Sequence, residues 1–233
     1  MADPPRRKTG HFKVWLIHPI NMEKDVRLKG QFDDQNRDMP PDRITRLMAL
    51  GNPVSKNREP IVNPNAHLTV YQILRSPNPP KRLVTFSNQL TEEKDVDWEV
   101  QDADILLVPA EKVEQGSGPP RDLEHFKCYT VTQRRNIERN ITLKDQFDRE
   151  REEEINVLVP FMFAVPVRKN DEPFTNRDDH LAIYEIHPQQ GLQPPKTVTI
   201  KDQYFPDGKE ITATHSVWLC VPSTKKGWKT EHR

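Results

Sequence analysis

The sequence has little of several features that mark common protein classes. Its 233 residues include two cysteines, Cys128 and Cys220, which are too few for a disulfide framework or a structural zinc site. No apolar run approaches the roughly 18 residues of a membrane-spanning helix, and the first ten residues lack the apolar segment of a signal peptide. Lysine plus arginine equals aspartate plus glutamate, at 35 each. We therefore expect a soluble chain, either cytoplasmic or secreted after removal of a leader, with no membrane insertion and no nucleic-acid partner.

The sequence also lacks the short motifs that accompany well-known catalytic chemistries. It has no Gly-x-Ser-x-Gly elbow, no glycine-rich phosphate loop and no His-Glu-x-x-His pair. We therefore predict no catalytic residue and no cofactor. With 22 prolines against 8 glycines, long helices are disfavoured, because each proline removes a backbone donor and clashes with the preceding turn.

A seven-residue segment occurs four times, and repeats of this kind determine the fold. Each copy reads His, Leu or Phe, any residue, a β-branched residue or Cys, an aromatic residue, any residue, and Ile or Val. The copies span residues 11–17, 67–73, 125–131 and 180–186. The apolar residues fall on both faces of an extended chain, which predicts a strand buried on both sides.

Two further segments follow each copy in the same order. The second alternates apolar and polar residues, as in a strand with one wet face, and spans residues 26–32, 84–90, 141–147 and 198–204. The third is an apolar run that ends at Pro53, Pro109, Pro166 and Pro222, where a proline has to mark an edge or an exit. Three recurring anchors define a unit of about 57 residues.

The four units are themselves grouped as two pairs. Lys56-Asn57-Arg58-Glu59-Pro60 and Lys169-Asn170-Asp171-Glu172-Pro173 match, so the joins inside the two pairs are alike, whereas residues 114–121 have the Gly/Ser/Pro composition of a linker. The predicted organisation is a disordered tail at 1–10, a first repeat pair at 11–113 with units 11–62 and 63–113, a linker at 114–122, and a second repeat pair at 123–233 with units 123–175 and 176–233.

These segments predict an all-β fold, in which each repeat pair forms a pseudo-twofold β-barrel or sandwich domain. Residues 42–50 have the apolar spacing of a helix, but the repeat places a strand there. The charged residues 148–154 are interpreted as a solvated loop or short turn.

The sequence around units 3 and 4 resembles a known kind of repeat. The order His-Phe-Lys-Cys-Tyr, then Asp-Gln-Phe, then Leu-Cys-Val-Pro before Lys is similar to a tandem-repeat β domain of unknown function from secreted or surface proteins of bacteria and archaea. The resemblance covers nearly the whole chain and implies a repeat fold and an extracellular setting, but no activity. Units 1 and 2 differ from it in lacking both cysteines.

Two sets of repeated polar residues were considered as ligands. His11, His67, His125 and His180 begin the first segments, and their imidazoles suggest either a metal site or the capping of four strand starts. Strand capping is the favoured interpretation, since paired domains would separate the histidines. Gln31, Gln89, Gln146 and Gln203 end the second segments, where an amide is suited to tying a loop to a strand or to binding a ligand.

The sequence is compatible with three classes of function. The favoured hypothesis is a non-enzymatic binding or structural module, a subunit of a larger or surface-associated assembly with protein partners, because duplicated units present similar surfaces. A carbohydrate-binding protein is the first alternative, with Trp98 and Trp218 as stacking residues, whereas Trp15, Tyr71, Tyr129 and Tyr184 share one repeated position and are assigned to the core. The second alternative is an enzyme with a site between the two repeat pairs.

The two cysteines carry the sharpest structural prediction. Cys128 is in the first segment of unit 3, Cys220 precedes the proline of unit 4, and the reciprocal positions hold Ala164 and Ile183. If a twofold axis relates units 3 and 4, every contact between the two units has a symmetric counterpart. A contact between Cys128 and Cys220 would then be matched by a contact between Ala164 and Ile183. Cys128 and Cys220 are then neighbours, within the ~7 Å Cα separation that a disulfide permits.

Overall fold

The structure is a computed structural model that describes residues 9–33, 40–74, 81–116, 118, 120, 122–133, 135–148, 151–170, 172–174, 176–189 and 193–230. Within these ranges the chain is almost entirely extended, which confirms the all-β prediction. Two single-turn 3₁₀ helices, at Gln89–Thr91 and Val113–Gln115, interrupt it. The part of the chain that is described holds no helix long and apolar enough to cross a membrane.

Thirteen strands are described, and all belong to one antiparallel sheet. They are β1 (Phe12–Val26), β2 (Leu28–Gly30), β3 (Asp42–Pro53), β4 (Ser55–Lys56), β5 (His67–Ile73), β6 (Arg82–Ser87), β7 (Val96–Lys112), β8 (His125–Val131), β9 (Arg139–Lys144), β10 (Glu153–Lys169), β11 (His180–Pro188), β12 (Lys196–Lys201) and β13 (Lys209–Thr230). The helical spacing at 42–50 is overridden, because β3 is the third segment of unit 1.

Eight of these strands close into a ring. Each unit contributes the strand of its first segment and the strand of its third, and the order around the ring is β1, β3, β5, β7, β8, β10, β11 and β13. The last strand pairs with the first, with Phe12 opposite Cys220, so the ring has no open edge. Neighbouring strands are consecutive in the sequence within each unit and between units.

The ring strands are buried on both faces, as the first segments predict. One apolar cluster takes side chains from all eight strands, among them Phe12, Leu68, Phe126 and Leu181, and therefore fills the ring. The repeated aromatic residues point outward into two other clusters, with Trp15 and Tyr71 in one and Tyr129 and Tyr184 in the other. All four aromatic side chains are buried, which confirms their assignment to the core.

The strands of the second segments cover the outside of the ring. Each of them pairs with a strand of the next unit but one. β2 of unit 1 pairs with the end of β10 in unit 3, and β9 of unit 3 pairs in return with β4 of unit 1. In the same way β6 of unit 2 pairs with the end of β13 in unit 4, and β12 of unit 4 pairs with the end of β7 in unit 2. Units 1 and 3, and units 2 and 4, are thus interlocked.

Near each repeated proline, the strand of the third segment stops pairing with the first-segment strand of the following unit. Pro53 lies opposite Phe12 of its own unit, and pairing with β5 ends two residues earlier, at Gly51. The Val54 amide donates to the His11 carbonyl, so the proline nitrogen faces the side where no strand follows. Because proline has no N–H to leave unpaired there, the strand can continue alone toward the alternate unit.

This arrangement differs from the predicted pair of domains. The strands of residues 11–113 and 123–233 form the two halves of one ring, since β7 pairs with β8 and β13 pairs with β1. One ring shared by all four units replaces a barrel or sandwich for each repeat pair. The boundary at 114–122 remains a prediction about how the sequence is organised. Residues 1–8 of the predicted tail lie outside the described residues, whereas Thr9 is buried and donates to Asp179 at 2.6 Å.

The predicted disulfide between Cys128 and Cys220 is wrong. Both cysteines are free and fully buried in the cluster that fills the ring. Their strands, β8 and β13, are separated in the ring by β10 and β11, so the two cysteines do not lie on neighbouring strands and no disulfide joins them. The prediction assumed that units 3 and 4 exchange strands with each other, whereas the exchange occurs between alternate units.

The charged stretch 148–154 also departs from its prediction. Asp148 and Glu153 are buried and form ion pairs with the fully buried Lys13 of β1. The Asp148 carboxylate lies 2.8 Å from the Lys13 ammonium. A stretch that resembles a solvated loop in the sequence therefore supplies the counter-charges for a lysine inside the protein, as a buried ammonium requires.

Candidate functional site

The repeated polar residues gather at one end of the ring. Each first segment starts there and each third segment ends there, so His67 is opposite Ala110, one residue beyond Pro109, and His180 is opposite Ser223, one residue beyond Pro222. A lysine follows each proline by three residues, at Lys56, Lys112, Lys169 and Lys225. We call the cluster of a unit's histidine, its lysine and the next unit's second-segment glutamine a junction, numbered by the unit that supplies the histidine.

Junctions 1 and 2 are closed by a side chain of the protein itself. In junction 1 the carboxylate of Glu59 accepts from Lys56 Nζ at 2.8 Å and from Gln89 Nε2 at 3.4 Å. In junction 2 the Gln115 amide bridges two partners, with its Oε1 at 2.7 Å from His67 Nε2 and its Nε2 donating to Gln146 Oε1 at 3.1 Å.

Junction 4 is closed by direct contacts. Gln31 Nε2 lies 2.7 Å from His180 Nε2, and Lys225 Nζ donates to Gln31 Oε1. The His180 Nδ1 atom lies 2.8 Å from the backbone oxygen of Asp178, which agrees with the strand-capping interpretation of the histidines. Burial, with the Lys225 ammonium as a smaller cause, lowers the pKa of His180 to about 4. The imidazole is therefore neutral at pH 7.

Junction 3 is open. Lys169 Nζ donates to Gln203 Oε1 and lies 3.1 Å from the Glu172 carboxylate, but within the described residues neither Gln203 Nε2 nor the His125 ring makes a hydrogen bond. Both residues line a cavity of about 580 Å³. A cavity of this size falls in the range of small-molecule sites. The space beside His11 in junction 1 is about 20 Å³, which is enough for little more than a water molecule.

The junction 3 cavity has one apolar wall and one polar wall. The apolar wall is formed by Val108, Pro109, Pro120, Leu123, Pro173 and Pro206. These residues come from the end of β7, the start of unit 3, the segment after β10 and the loop after β12. Units 2, 3 and 4 therefore all contribute, and the cavity lies where the two repeat pairs meet.

Most charges on the polar wall already have partners. Asp202 accepts from Tyr71 and Thr69 at 2.5 Å and 2.6 Å, and Glu124 accepts from the Asn176 amide. Glu111 and Lys201 lie opposite each other on β7 and β12, with no ion pair between them in the described structure. Burial, together with the Lys169 ammonium, lowers the pKa of His125 to about 4, so its ring is a neutral hydrogen-bonding group at pH 7.

The four histidines do not converge on a metal. His67 and His180 contact glutamines of different junctions, and within the described ranges no group of three His, Cys, Asp or Glu side chains is arranged to hold a metal ion. The repeated glutamines instead link each junction to the following unit, through Glu59 in junction 1, the histidine in junctions 2 and 4, and the lysine in junctions 3 and 4. Their position as ties between a loop and a strand follows the structural interpretation of these residues.

The two tryptophans expected to stack on sugars lie in or beside the apolar clusters, Trp98 buried and Trp218 partly buried. Trp98 is 2% exposed and is stacked on Phe86, with the two ring centroids 5.4 Å apart. Trp218 is partly buried and its ring lies 5.2 Å from that of Phe161. Trp228 is the more exposed tryptophan, at 40%, and packs edge-on against Phe32.

The lysines of the junctions belong to the candidate site, and the sequence analysis did not predict them. The signal was present, because Lys56, Lys112, Lys169 and Lys225 all stand three residues beyond the repeated proline. Lysine is common on protein surfaces, so its recurrence in a sequence does not by itself indicate a site. The structure shows that the strands run on past the prolines and carry these side chains to the histidines.

Comparison with known proteins agrees with the repeat. Residues 67–222 match the family described as "Repeat of unknown function (DUF7450)". The chain belongs to this family. The matched residues begin at the first segment of unit 2 and end at the repeated proline of unit 4, so the family boundaries coincide with the anchors read from the sequence. No curated protein and no solved structure matches the chain.

Proposed function

We propose that this DUF7450 chain is a non-enzymatic binding module whose ligand occupies the junction 3 cavity. The observation that carries the proposal is the broken fourfold symmetry: side chains of the protein close junctions 1, 2 and 4, whereas in junction 3 the Gln203 Nε2 atom and the His125 ring make no hydrogen bond within the described residues and line a cavity of about 580 Å³. Repeated residues are retained for the fold, so a departure at one copy is a candidate for function.

Binding fits the cavity better than catalysis does. The described lining residues include no Ser, Thr, Cys or Tyr to act as a nucleophile. The carboxylates of Asp202 and Glu124 are held by donors of the fold, which fixes them in structural roles. The enzyme alternative also places its site between the two repeat pairs, so a turnover assay on any ligand that is found would separate the two functions.

A fragment screen tests the proposal. Saturation-transfer NMR on the full chain is expected to yield fragments that bind the wild type and are lost in Gln203→Trp, where the added ring fills the cavity mouth. The matched control is Gln89→Trp, because Gln89 is the exposed equivalent in junction 1. Fragments that bind both variants equally, or a screen with no cavity-dependent fragment, would contradict the proposed function.

The assembly part of the hypothesis has a separate test. Trp228 is 40% exposed and lies on β13 among Lys225, Lys226 and Lys229, and it is the candidate partner contact for this test. Size-exclusion chromatography with light scattering, followed by affinity capture from the native host, is expected to recover a partner that Trp228→Ala loses. A monomer that captures nothing in its native host counts against an assembly role.

A further inference from the structure

One repeated position differs among the four junctions in the side chain that it carries. The residue six places beyond each repeated proline is Glu59, Gln115, Glu172 and Trp228 in the four units. In junctions 1 and 2 this residue brings a planar group with an oxygen acceptor to the cluster. The Glu59 carboxylate takes both Lys56 Nζ and Gln89 Nε2, and the Gln115 amide takes His67 and Gln146.

Junction 3 has the same donors, but its carboxylate, Glu172, reaches only the lysine and not the glutamine amide. Glu172 contacts Lys169 at 3.1 Å, is 58% exposed, and makes no hydrogen bond to Gln203 or His125 within the described residues. Lys169 and Gln203 are the equivalents of the two donors that hold Glu59 in junction 1. The Gln203 amide and the His125 ring therefore face the cavity in the place where junctions 1 and 2 hold a side chain of the protein.

We propose that junction 3 binds the carboxylate of a small organic acid, held by Lys169 Nζ and Gln203 Nε2 as Glu59 is held by Lys56 and Gln89. This inference rests on the proposed function of the cavity and names its ligand class. The His125 ring adds a third hydrogen-bonding group beside the carboxylate. The Glu59 contact in junction 1 is the internal precedent for this geometry.

The cavity selects a carboxylate with an apolar body over other anions. A carboxylate alone fills a small part of about 580 Å³, so the rest of the ligand has to cover the wall of Pro109, Pro173, Pro206 and Leu123. A phosphate carries nearly two negative charges, and the carboxylates of Glu111 and Glu172 already line the cavity beside its two lysines, Lys169 and Lys201. A neutral carboxamide forgoes the charge-assisted hydrogen bond from Lys169.

Nuclear magnetic resonance titration of the full ¹⁵N-labelled chain tests the ligand class. The probes are benzoate and cyclohexanecarboxylate, each compared with its own primary amide at equal concentration. The acids are expected to shift the side-chain amide signal of Gln203 and the backbone signal of His125, with an affinity at least tenfold higher than that of the amides. Amides that bind as tightly as the acids would overturn the carboxylate assignment.

Two variants test the residues. Gln203→Ala is expected to weaken acid binding at least tenfold, while Gln89→Ala in junction 1 leaves it unchanged; equal effects would overturn the site. Glu172→Gln is expected to strengthen acid binding severalfold, because it removes the carboxylate that competes for Lys169, and weaker binding would contradict the competition. If other fragments enter the cavity and no acid does, the carboxylate inference fails while the proposed function stands.

Discussion

The Tyr71 hydroxyl of unit 2 donates a 2.5 Å hydrogen bond to the Asp202 carboxylate of unit 4, across the outside of the ring. The same contact joins units 1 and 3 through Trp15 Nε1 and Asp145 at 2.7 Å, and units 4 and 2 through Tyr184 and Asn88. The fourth position is different, because the residue before Gln31 is Gly30, which has no side chain to accept. In the described structure the buried Tyr129 hydroxyl has no hydrogen-bond partner.

Removing the Tyr71 hydroxyl is expected to destabilise the protein. Burial and the Asp202 carboxylate raise the pKa of Tyr71, so it remains a donor at every ordinary pH. Tyr71→Phe should lower the free energy of unfolding by about 1.5–3 kcal/mol, the usual range for a buried hydrogen bond to a charged group. Tyr129→Phe is the matched control and should change stability by less than about 0.5 kcal/mol or increase it, because no hydrogen bond is lost. Urea denaturation of both variants gives the comparison, and equal losses would contradict the assignment.

The buried carboxylate of Asp145 is expected to make stability depend on pH. Burial, and secondarily the charge of Asp148, raises the pKa of Asp145 to about 6, against the attraction of Lys13. The folded state therefore binds a proton that the unfolded state releases between about pH 4 and pH 6. Stability from this group falls as pH rises through that window, by on the order of 2–3 kcal/mol in total.

Asp145→Asn isolates this contribution. Glu153, Asp148, Lys13 and Lys112 also carry charge near Asp145 and remain in the variant. When the pH is lowered from 7 to 4.5, the wild type should gain unfolding free energy relative to the Asp145→Asn variant. A difference that is constant across this range, in urea titrations at each pH, would show that Asp145 does not titrate there.

The two cysteines are expected to behave as inert buried thiols. Burial raises the pKa of Cys220 to about 12 and that of Cys128 well above its ordinary value, so neither forms a thiolate at neutral pH. Intact mass spectrometry without reductant should show no label after iodoacetamide treatment of the folded protein and two labels after unfolding in urea. A mass two units below that of the dithiol form, with no labelling after unfolding, would establish the disulfide that the structure excludes.

The two repeat pairs are expected to be unable to fold apart. Cutting the chain in the segment 114–122 separates β7 from β8 and β13 from β1, which leaves long unpaired edges on both fragments. Fragments 1–113 and 123–233, expressed separately, should each lack a cooperative thermal transition, and mixing them should restore one. A cooperative transition in either fragment alone would support two independent domains.

Much of the local structure could be predicted from the sequence. The strand at residues 42–53 follows from the repeat in spite of its helical spacing, and the shared aromatic position of Trp15 and Tyr71 is buried as predicted. The loop assigned to Asp148 and Glu153 failed for a specific reason. Their partner Lys13 lies more than a hundred residues away, and charge patterning within a segment carries no information about a distant buried lysine.

The sequence by itself determined four units, the strands within each unit and the face that each apolar side chain presents, because these depend on local periodicity. Only the tertiary structure decided which unit each second segment covers. The four similar units offer four similar strand edges for pairing. The alternation of apolar and polar residues therefore specifies which face of a strand is buried but not which strand it pairs with. The interlocking of units 1 and 3, the separation of Cys128 from Cys220 and the open junction at His125 all depend on that choice.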